Sequence, residues 1–306
     1  PFDKEKVAQY MPIDLYVGGI THATGHLIYF RFFQKFLKDL GWVKDDEPAK
    51  RLFNHGMVCD SNGEVMSKSK GNVVSPIGLM EERGVDVSRL AMFFTAPSDK
   101  EVLWSSDSVT GVEKFAINKL FPLNEKLRNS NPDLKYYFKR EELSEFEYSL
   151  YIKLNQVIKQ VSDSFDKLQF NTAISALMEL VRDYDSDKIK NDSFNDYLIL
   201  KTFQLSAPLV PHLAEEIWAF AGFEGSIFKS NWPICDESAI IKDSIVIGVQ
   251  INGKLRDEIE IPIDCDQKRA EEVAFMSDKV KKYTDGKEIL KIIFVKGRIF
   301  NIVVKG

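Results

Sequence analysis

Residues 14–29, Asp14-Leu15-Tyr16-Val17-Gly18-Gly19-Ile20-Thr21-His22-Ala23-Thr24-Gly25-His26-Leu27-Ile28-Tyr29, contain the pattern that decides the fold class. The apolar, β-prone run at 13–17 is broken by Gly18 and Gly19, and apolar residues then recur at helical spacing from Leu27 to Leu40. This order predicts a strand, a tight turn and a helix. Such a turn places backbone N–H groups at the carboxyl edge of a parallel sheet, where α/β proteins bind ligands.

The following residues extend this alternation. A strand-like stretch at 52–58 leads into Asn62-Gly63, a pair typical of a two-residue hairpin turn. Ser75-Pro76 predicts the N-cap and first residue of a short helix that ends at Gly84, and Asp86 is predicted to cap the next helix. Strands that alternate with helices indicate an α/β layer.

From about residue 107 the periodicity becomes that of long amphipathic helices, which predicts a helical bundle. After Trp232-Pro233 it changes again, to strands around an Asn252-Gly253 turn, two short helices and two further strands. We therefore expect a small α+β domain at the end of the chain. The predicted bundle helices span residues 109–128, 141–168, 172–184 and 194–221.

Composition restricts the class of protein. The 306 residues are 44% apolar, with 17 Gly and 11 Pro, as in an ordinary globular protein of two or three domains. No run of eighteen apolar residues and no secretory leader is found, so we expect a cytoplasmic protein without membrane association. The net charge of −5 argues against indiscriminate binding of polyanions. Cys59, Cys235 and Cys265 lack metal-ligand spacing, so neither a disulfide framework nor a structural metal is expected.

The loop Val65-Met66-Ser67-Lys68-Ser69-Lys70-Gly71-Asn72 carries the clearest chemical pattern. Two ammonium groups, two hydroxyls and a Gly-Asn pair suited to left-handed backbone angles can fold around phosphate oxygens. A lysine in such a loop places a mobile charge where a leaving pyrophosphate becomes negative. Taken alone, the same residues also fit a solvated, lysine-rich loop.

His22 and His26 are spaced to lie on one face of a helix. Zinc-binding helices use this spacing, but no glutamate lies between them and no third ligand is evident. A pair of buried, hydrogen-bonded histidines fits the spacing better than a metal site.

The loop resembles the second signature of class I aminoacyl-tRNA synthetases, Lys-Met-Ser-Lys-Ser, with Val65 in place of the first lysine. Residues 14–29 resemble the segment that lines the aminoacyl-adenylate pocket of leucyl-tRNA synthetases. Residues 170–177 and 208–218 resemble the helical anticodon-binding domain of the leucyl, isoleucyl, valyl and methionyl enzymes. Residues 249–256 resemble the opening hairpin of the leucyl enzyme's C-terminal domain, so the resemblance covers nearly the whole chain.

This resemblance implies a multi-domain α/β plus all-α fold. Residues 1–106 would form the second half of a Rossmann-like catalytic core, with the signature loop and the helices after it. Residues 107–236 would form a helical-bundle anticodon-binding domain, and residues 237–306 a small α+β C-terminal domain that binds tRNA. The first class I signature, His-x-Gly-His, and the editing insertion are absent, and the first residue is Pro1, so we interpret the sequence as a catalytically incomplete portion of the enzyme.

The implied activity is ATP-dependent activation of leucine and its transfer to tRNA(Leu), with ATP as a Mg²⁺ complex and the N-terminal catalytic half as a partner. The alternative is a non-catalytic tRNA-binding protein that retains the fold. Thr21 departs from the family, which usually has a ribose-binding glutamate there. The implied sites are catalytic (Ser67, Lys68, Ser69), ATP-binding (Gly18, Gly19, Met57, Val58, Met66, Lys68) and leucine-binding (Tyr16, His22, His26).

The last domain is modestly cationic. Between Ile245 and Gly306 there are twelve Lys or Arg residues against ten Asp or Glu residues, in a chain that is otherwise acidic. These basic residues fit either phosphate contacts or an ordinary solvated surface, and the resemblance favours tRNA. The proposed contacts are Lys254, Arg256, Lys281, Lys282 and Arg298.

Overall fold

The structure is a computed structural model that describes residues 2–128, 138–240, 244–262 and 265–305. It forms two compact units, one ending at Asp236 and the other beginning at Glu237. No helix within these ranges is long and apolar enough to cross a membrane.

The first part of the chain alternates strands and helices, as its pattern predicts. The first strand lies later than the predicted 13–17, because Ile13 forms only an isolated bridge to Ala49. The predicted strand at 52–58 is two strands, each in a parallel pair of its own. The elements are α1 Lys4–Tyr10, β1 Tyr16–Gly19, α2 His26–Asp39, β2 Leu52–His55, β3 Val58–Cys59, α3 Pro76–Arg83, α4 Val85–Thr95 and β4 Val102–Leu103.

The bundle contains α5 Ser106–Phe115, α6 Glu145–Asp166, α7 Phe170–Asp183, α8 Asp192–Ser206 and α9 Pro211–Phe220. The single helix predicted over 194–221 is wrong: it is two helices, and Pro211 opens the second, as a residue without an N–H can. The helix predicted over 109–128 is also wrong in its extent, because after α5 the chain continues as a π turn and a 3₁₀ turn. One hydrophobic core joins α4 to the bundle helices.

Asp86 links α4 to α9. The prediction that it caps its own helix is wrong, since α4 begins one residue earlier, after Gly84. Its buried carboxylate instead accepts hydrogen bonds from the backbone N–H of Leu213 at 2.6 Å and from Nδ1 of His212 at 2.9 Å. Both donors lie in the first turn of α9. Asp86 therefore supplies hydrogen-bond acceptors to a backbone N–H and an imidazole of another helix.

The second unit is an α+β layer built on a four-stranded sheet, in which the strands lie in the order Lys254–Pro262 (β6), Ser244–Ile251 (β5), Ile299–Val304 (β8) and Ile289–Val295 (β7). Asn252 and Gly253 take φ angles of 50° and 78° in the predicted turn between the first two strands. Phe300 and Ile302 are fully buried against Ala270 and Ala274 of the first long helix of this unit. The elements are α10 Glu237–Ile240, β5 Ser244–Ile251, β6 Lys254–Pro262, α11 Gln267–Met276, α12 Asp278–Thr284, β7 Ile289–Val295 and β8 Ile299–Val304.

Candidate active site

The rings of Tyr16, His22 and His26 lie together, with Tyr16 as the first residue of β1 and both histidines in the segment that follows the strand. The phenol oxygen of Tyr16 lies 2.5 Å from Nε2 of His26, and the His26 ring stacks on Phe30 with 5.6 Å between centroids. The rings of His22 and His26 are 5.9 Å apart, edge to face. The two histidines do not share one continuous helix, because Gly25 interrupts it, yet their rings still converge.

Both histidine side chains are exposed, which does not fit a buried packing pair. Among the described residues, no group of three or more His, Cys, Asp or Glu side chains could hold a metal ion. Five of the residues assigned from the sequence to leucine and ATP line one cavity of about 120 Å³ together with Leu27, Leu52 and Asn54. These five are Tyr16, Gly18, Gly19, His22 and His26.

The signature loop is held at its base by amide and carboxylate groups. The Asn72 side chain donates to Asp60 Oδ2 at 2.9 Å and accepts from the backbone N–H of Ser67 at 2.9 Å. Gly71 takes the left-handed conformation, with φ 69°, and ends the single 3₁₀ turn Lys68–Lys70. Ser67 caps that turn, and its hydroxyl lies 2.9 Å from the hydroxyl of Ser69. The turn therefore has a fixed base.

The two lysines of the turn differ in their surroundings. Lys70 Nζ pairs with Glu64 at 2.5 Å, and the hydrogen bond to that carboxylate raises the pKa of Lys70 above its ordinary value. Lys68 is exposed, and within the ranges that the structure describes no carboxylate lies within ion-pairing distance of it. A free ammonium on a positioned turn is suited to bind an anion.

Met57, Val58 and Met66 lie at the root of the loop. The carbonyl of Met57 accepts from the N–H of Val102, and the carbonyl of Val58 accepts from the N–H of Met66, both at 2.9 Å. Val58 and Met66 line an apolar cavity of about 430 Å³ against α3 and α4, which does not contain the Tyr16 group. The structure therefore places the predicted ATP-binding residues at two locations, one at the end of β1 and one beneath the loop.

Three further residues shape the site without having been predicted to do so. The side chains of Asp60 and Asn72 fix the loop, whereas the sequence indicated Asn72 only as part of a Gly-Asn pair suited to left-handed backbone angles, of which Gly71 alone takes one. A Cβ on Gly56 would lie 1.7 Å from the backbone oxygen of Lys100, so only glycine permits this close approach of β3 and the segment before β4. A glycine inside the strand-like stretch at 52–58 was the available signal.

In the second unit, the predicted tRNA-binding residues are mostly exposed. The guanidinium of Arg256 lies over the ring of Tyr283 at 4.3 Å, and Lys281 pairs with Asp278 at 3.6 Å. Arg298 lies in the turn between β7 and β8. Lys254, Arg256, Lys282 and Arg298 are exposed, and Lys281 is half-buried.

Comparison with known proteins identifies relatives along the entire chain. A family model described as tRNA synthetases class I (I, L, M and V) matches residues 1–105, and one described as the anticodon-binding domain of tRNA ligase matches residues 148–272. The leucine–tRNA ligase of Petrotoga mobilis is 40% identical over 313 residues, covering 100% of this chain and 37% of the relative. The leucine–tRNA ligase of Caldanaerobacter subterraneus is 38% identical over 310 residues, covering 99% of this chain and 37% of the relative. The chain thus spans about 37% of the length of these relatives.

Solved structures give the same result. The agnB2 LeuRS of Agrobacterium radiobacter K84, in a ternary complex with tRNA and LeuAMS, superposes with a TM-score of 0.82 at 30% identity, covering 100% of this chain and 39% of that one. Methionyl-tRNA synthetase of Mycobacterium tuberculosis shares the fold, with a TM-score of 0.51 at 21% identity over 68% of this chain and 44% of that one. The predicted fold class is confirmed, and the chain belongs to the class I tRNA synthetases.

Proposed function

We propose that this chain is the portion of a leucyl-tRNA synthetase that carries the second half of the catalytic core and the tRNA-binding domains. The complete enzyme would join leucine to ATP, releasing pyrophosphate, and transfer the leucyl group to tRNA(Leu). In the first step the leucine carboxylate attacks the α-phosphate of ATP, which would enter as a Mg²⁺ complex. The three-domain division at residues 106/107 and 236/237 and the cytoplasmic location belong to the same proposal.

The observation that supports this proposal most strongly is the free ammonium of Lys68. Its neighbour Lys70 is neutralised by Glu64, while the turn that carries both is held by Asp60 and Asn72. A charge that is positioned but unpaired can stabilise the pyrophosphate as negative charge develops on it. A non-catalytic RNA-binding protein, the alternative, has no use for such a loop.

Ser67 and Ser69 support the turn, with their hydroxyls available to phosphate oxygens. Tyr16, His22 and His26 would bound the leucine side chain by shape, and Gly18 and Gly19 would allow the adenylate to approach the strand end. Met57, Val58 and Met66 would serve ATP through their backbone. Lys254, Arg256, Lys281, Lys282 and Arg298 would contact tRNA phosphates.

The test is leucine-dependent exchange of pyrophosphate into ATP, measured with this chain alone and with the separately produced N-terminal half. We expect exchange in the mixture only. Lys68→Ala in the mixture should lower the exchange rate by about 100- to 1,000-fold, as expected when one transition-state donor is removed.

The matched control is Lys114→Ala, an exposed lysine on α5, which should leave exchange unchanged. Equal exchange in the Lys68→Ala and Lys114→Ala variants would disprove the role of Lys68. No exchange in the mixture, combined with tight binding of tRNA by the chain alone, would favour the non-catalytic alternative.

A further inference from the structure

An apolar cavity of about 430 Å³ lies beneath the signature loop, against α3 and α4. Its volume is that of a site for a small organic molecule. Leu79, Phe93 and Trp104, which pack against the main hydrophobic core, contribute to its lining. Its mouth is open to solvent, because four of the apolar residues that line it are exposed. These four are Val73, Val74, Met80 and Met92.

Arg89 of α4 brings a positive charge to this cavity. Its Nη2 donates to the backbone oxygen of Pro208 at 3.0 Å, and its guanidinium carbon lies 5.4 Å from the centroid of the Phe93 ring. Its Nε is buried without a hydrogen-bond partner. Within the ranges that the structure describes, no carboxylate lies within ion-pairing distance of the guanidinium. Since charges removed from water are normally paired, this half-buried cation lacks a counter-ion.

The other polar side chains at the cavity do not supply that counter-ion. They are the hydroxyls of Ser75 and Ser88, and the Ser88 hydroxyl already donates to the backbone oxygen of Gly84 at 2.9 Å. A ligand that matches the cavity therefore combines an anionic group for Arg89 with an apolar body for the remaining lining. A phosphate ion alone would leave the apolar lining without a partner.

We propose that this cavity binds a small apolar acid, an aromatic or branched aliphatic body that carries a carboxylate or sulfonate, and that the anionic group pairs with Arg89. Met66 and Val73 line the cavity from the signature loop and its flank, and Met92 lines it from α4. The bound acid therefore contacts both sides and holds the loop against α4. The inference goes beyond the proposed function, which uses only the backbone of Val58 and Met66, and does not depend on it.

The test compares two fluorescent dyes that share their aromatic rings, the anion anilinonaphthalenesulfonate and the neutral phenylnaphthylamine. Binding at the cavity is measured as the energy transfer from tryptophan to dye that Trp104→Phe removes. We expect Arg89→Met to weaken binding of the anionic dye by about 10- to 100-fold, the loss of a charge-assisted hydrogen bond, and to leave binding of the neutral dye nearly unchanged. Arg89→Lys should retain part of the preference for the anion, because it keeps the charge.

The control for the change in charge is Arg182→Met, at an exposed arginine of α7 that pairs with Asp183, which should alter the affinity for neither dye. Leu79→Phe, which narrows the cavity and keeps Arg89, should weaken both dyes. The inference is overturned if Trp104→Phe removes no energy transfer, if folded Arg89→Met loses both dyes equally, or if inorganic phosphate displaces the anionic dye. Thermal melting of each variant identifies those that are folded.

The contact with the loop is tested by amide hydrogen exchange. The N–H of Met66 donates to the carbonyl of Val58 at 2.9 Å, and both residues line the cavity. At a dye concentration about ten times Kd, exchange of this N–H should slow by about tenfold, because the dye binds only the closed form. An unchanged rate would contradict the contact. Loss of both dyes when the N-terminal half is added would show that this half covers the cavity, and would overturn the inference.

Discussion

The helical bundle and the α/β layer before it differ in how much apolar surface they bury. In the bundle, Leu154 and Leu177 are fully buried in one continuous core. In α2, all of which the structure describes, Gln34 alone is buried, whereas Tyr29 and Phe33 are 66% and 59% exposed. The bundle helices therefore share one continuous hydrophobic core with α4, whereas α2 contributes little to any core.

The strands next to α2 show the same contrast. β1 and β2 form a parallel pair of four residues each, with Val17 and Leu52 about half exposed. Parallel strands are normally covered on both faces. The residues of the candidate site that lie on these strands are held by local hydrogen bonds and ring contacts rather than by a core. We therefore expect the site to open locally at a lower free energy than the bundle unfolds.

The difference in burial between the two regions is tested most directly by removing one large side chain from each. Leu177→Ala should lower the free energy of unfolding by about 2–5 kcal/mol, since it leaves a cavity in a close-packed core. Phe33→Ala should change it by no more than about 0.5 kcal/mol, because more than half of that residue is already exposed to water. Urea denaturation of the chain, followed by far-ultraviolet circular dichroism, measures both. Equal losses would show that α2 packs as tightly as α7.

The same contrast explains which parts of the fold could be predicted. The spacing of apolar residues predicts the bundle and the alternation of strands and helices, because strands bury every second residue and helices bury one face. It failed between α8 and α9, where apolar residues continue through the break before Pro211. Helix spacing brought His22 and His26 to the site, although a short turn replaces the expected helix. The position of His55 beside Gly19 depends on the register between two strands, which periodicity does not determine.

A second test of how the bundle is stabilised concerns the buried carboxylate of Glu147. Glu147 is 1% exposed, and its oxygens accept from the N–H and hydroxyl of Ser144 and from the N–H groups of Lys190 and Asn191, at 2.7–2.8 Å. The Ser-x-x-Glu capping pattern can be read from the sequence. The hydrogen bonds from Lys190 and Asn191 to Glu147 cannot, because they join distant parts of the chain. Glu147→Gln, which turns an amide NH₂ toward these donors, should cost about 1–3 kcal/mol. Glu145→Gln, exposed in the same turn, should have little effect in the same urea titration.

Glu147 also predicts a dependence on pH. Burial alone would raise the pKa of this carboxyl, but the hydrogen bonds from Asn191, Ser144 and Lys190 outweigh it and hold the pKa below its usual 4.5. A folded-state pKa below the unfolded value adds stability that is present above the unfolded pKa and lost as the pH falls through the folded one. The difference in free energy of unfolding between the wild type and Glu147→Gln should therefore shrink on acidification. A difference that stays constant down to the folded pKa would contradict this account.

The smallest effect is expected in the signature loop, which is held by the side-chain amide of Asn72 rather than by a hydrophobic core. Asn72→Ala removes the bridge from Asp60 to the N–H of Ser67 and should cost about 0.5–1.5 kcal/mol locally, the worth of a typical hydrogen bond. Amide hydrogen exchange at Ser67 should accelerate while the urea midpoint of the bundle stays unchanged. Asn62→Ala, in the exposed turn that precedes the loop, serves as the control.

Asn72→Asp separates the two halves of the bridge. It keeps an acceptor for the N–H of Ser67 but places a second carboxylate against Asp60, whose own pKa is lowered chiefly by the hydrogen bond from the Asn72 amide. Since two like charges at this distance repel, we expect faster exchange in Asn72→Asp than in Asn72→Ala at neutral pH, with the order reversed once Asp60 is protonated. If both variants exchange like the wild type, something other than this amide positions the loop. The prediction that local hydrogen bonds hold the loop in place of a hydrophobic core would then be wrong.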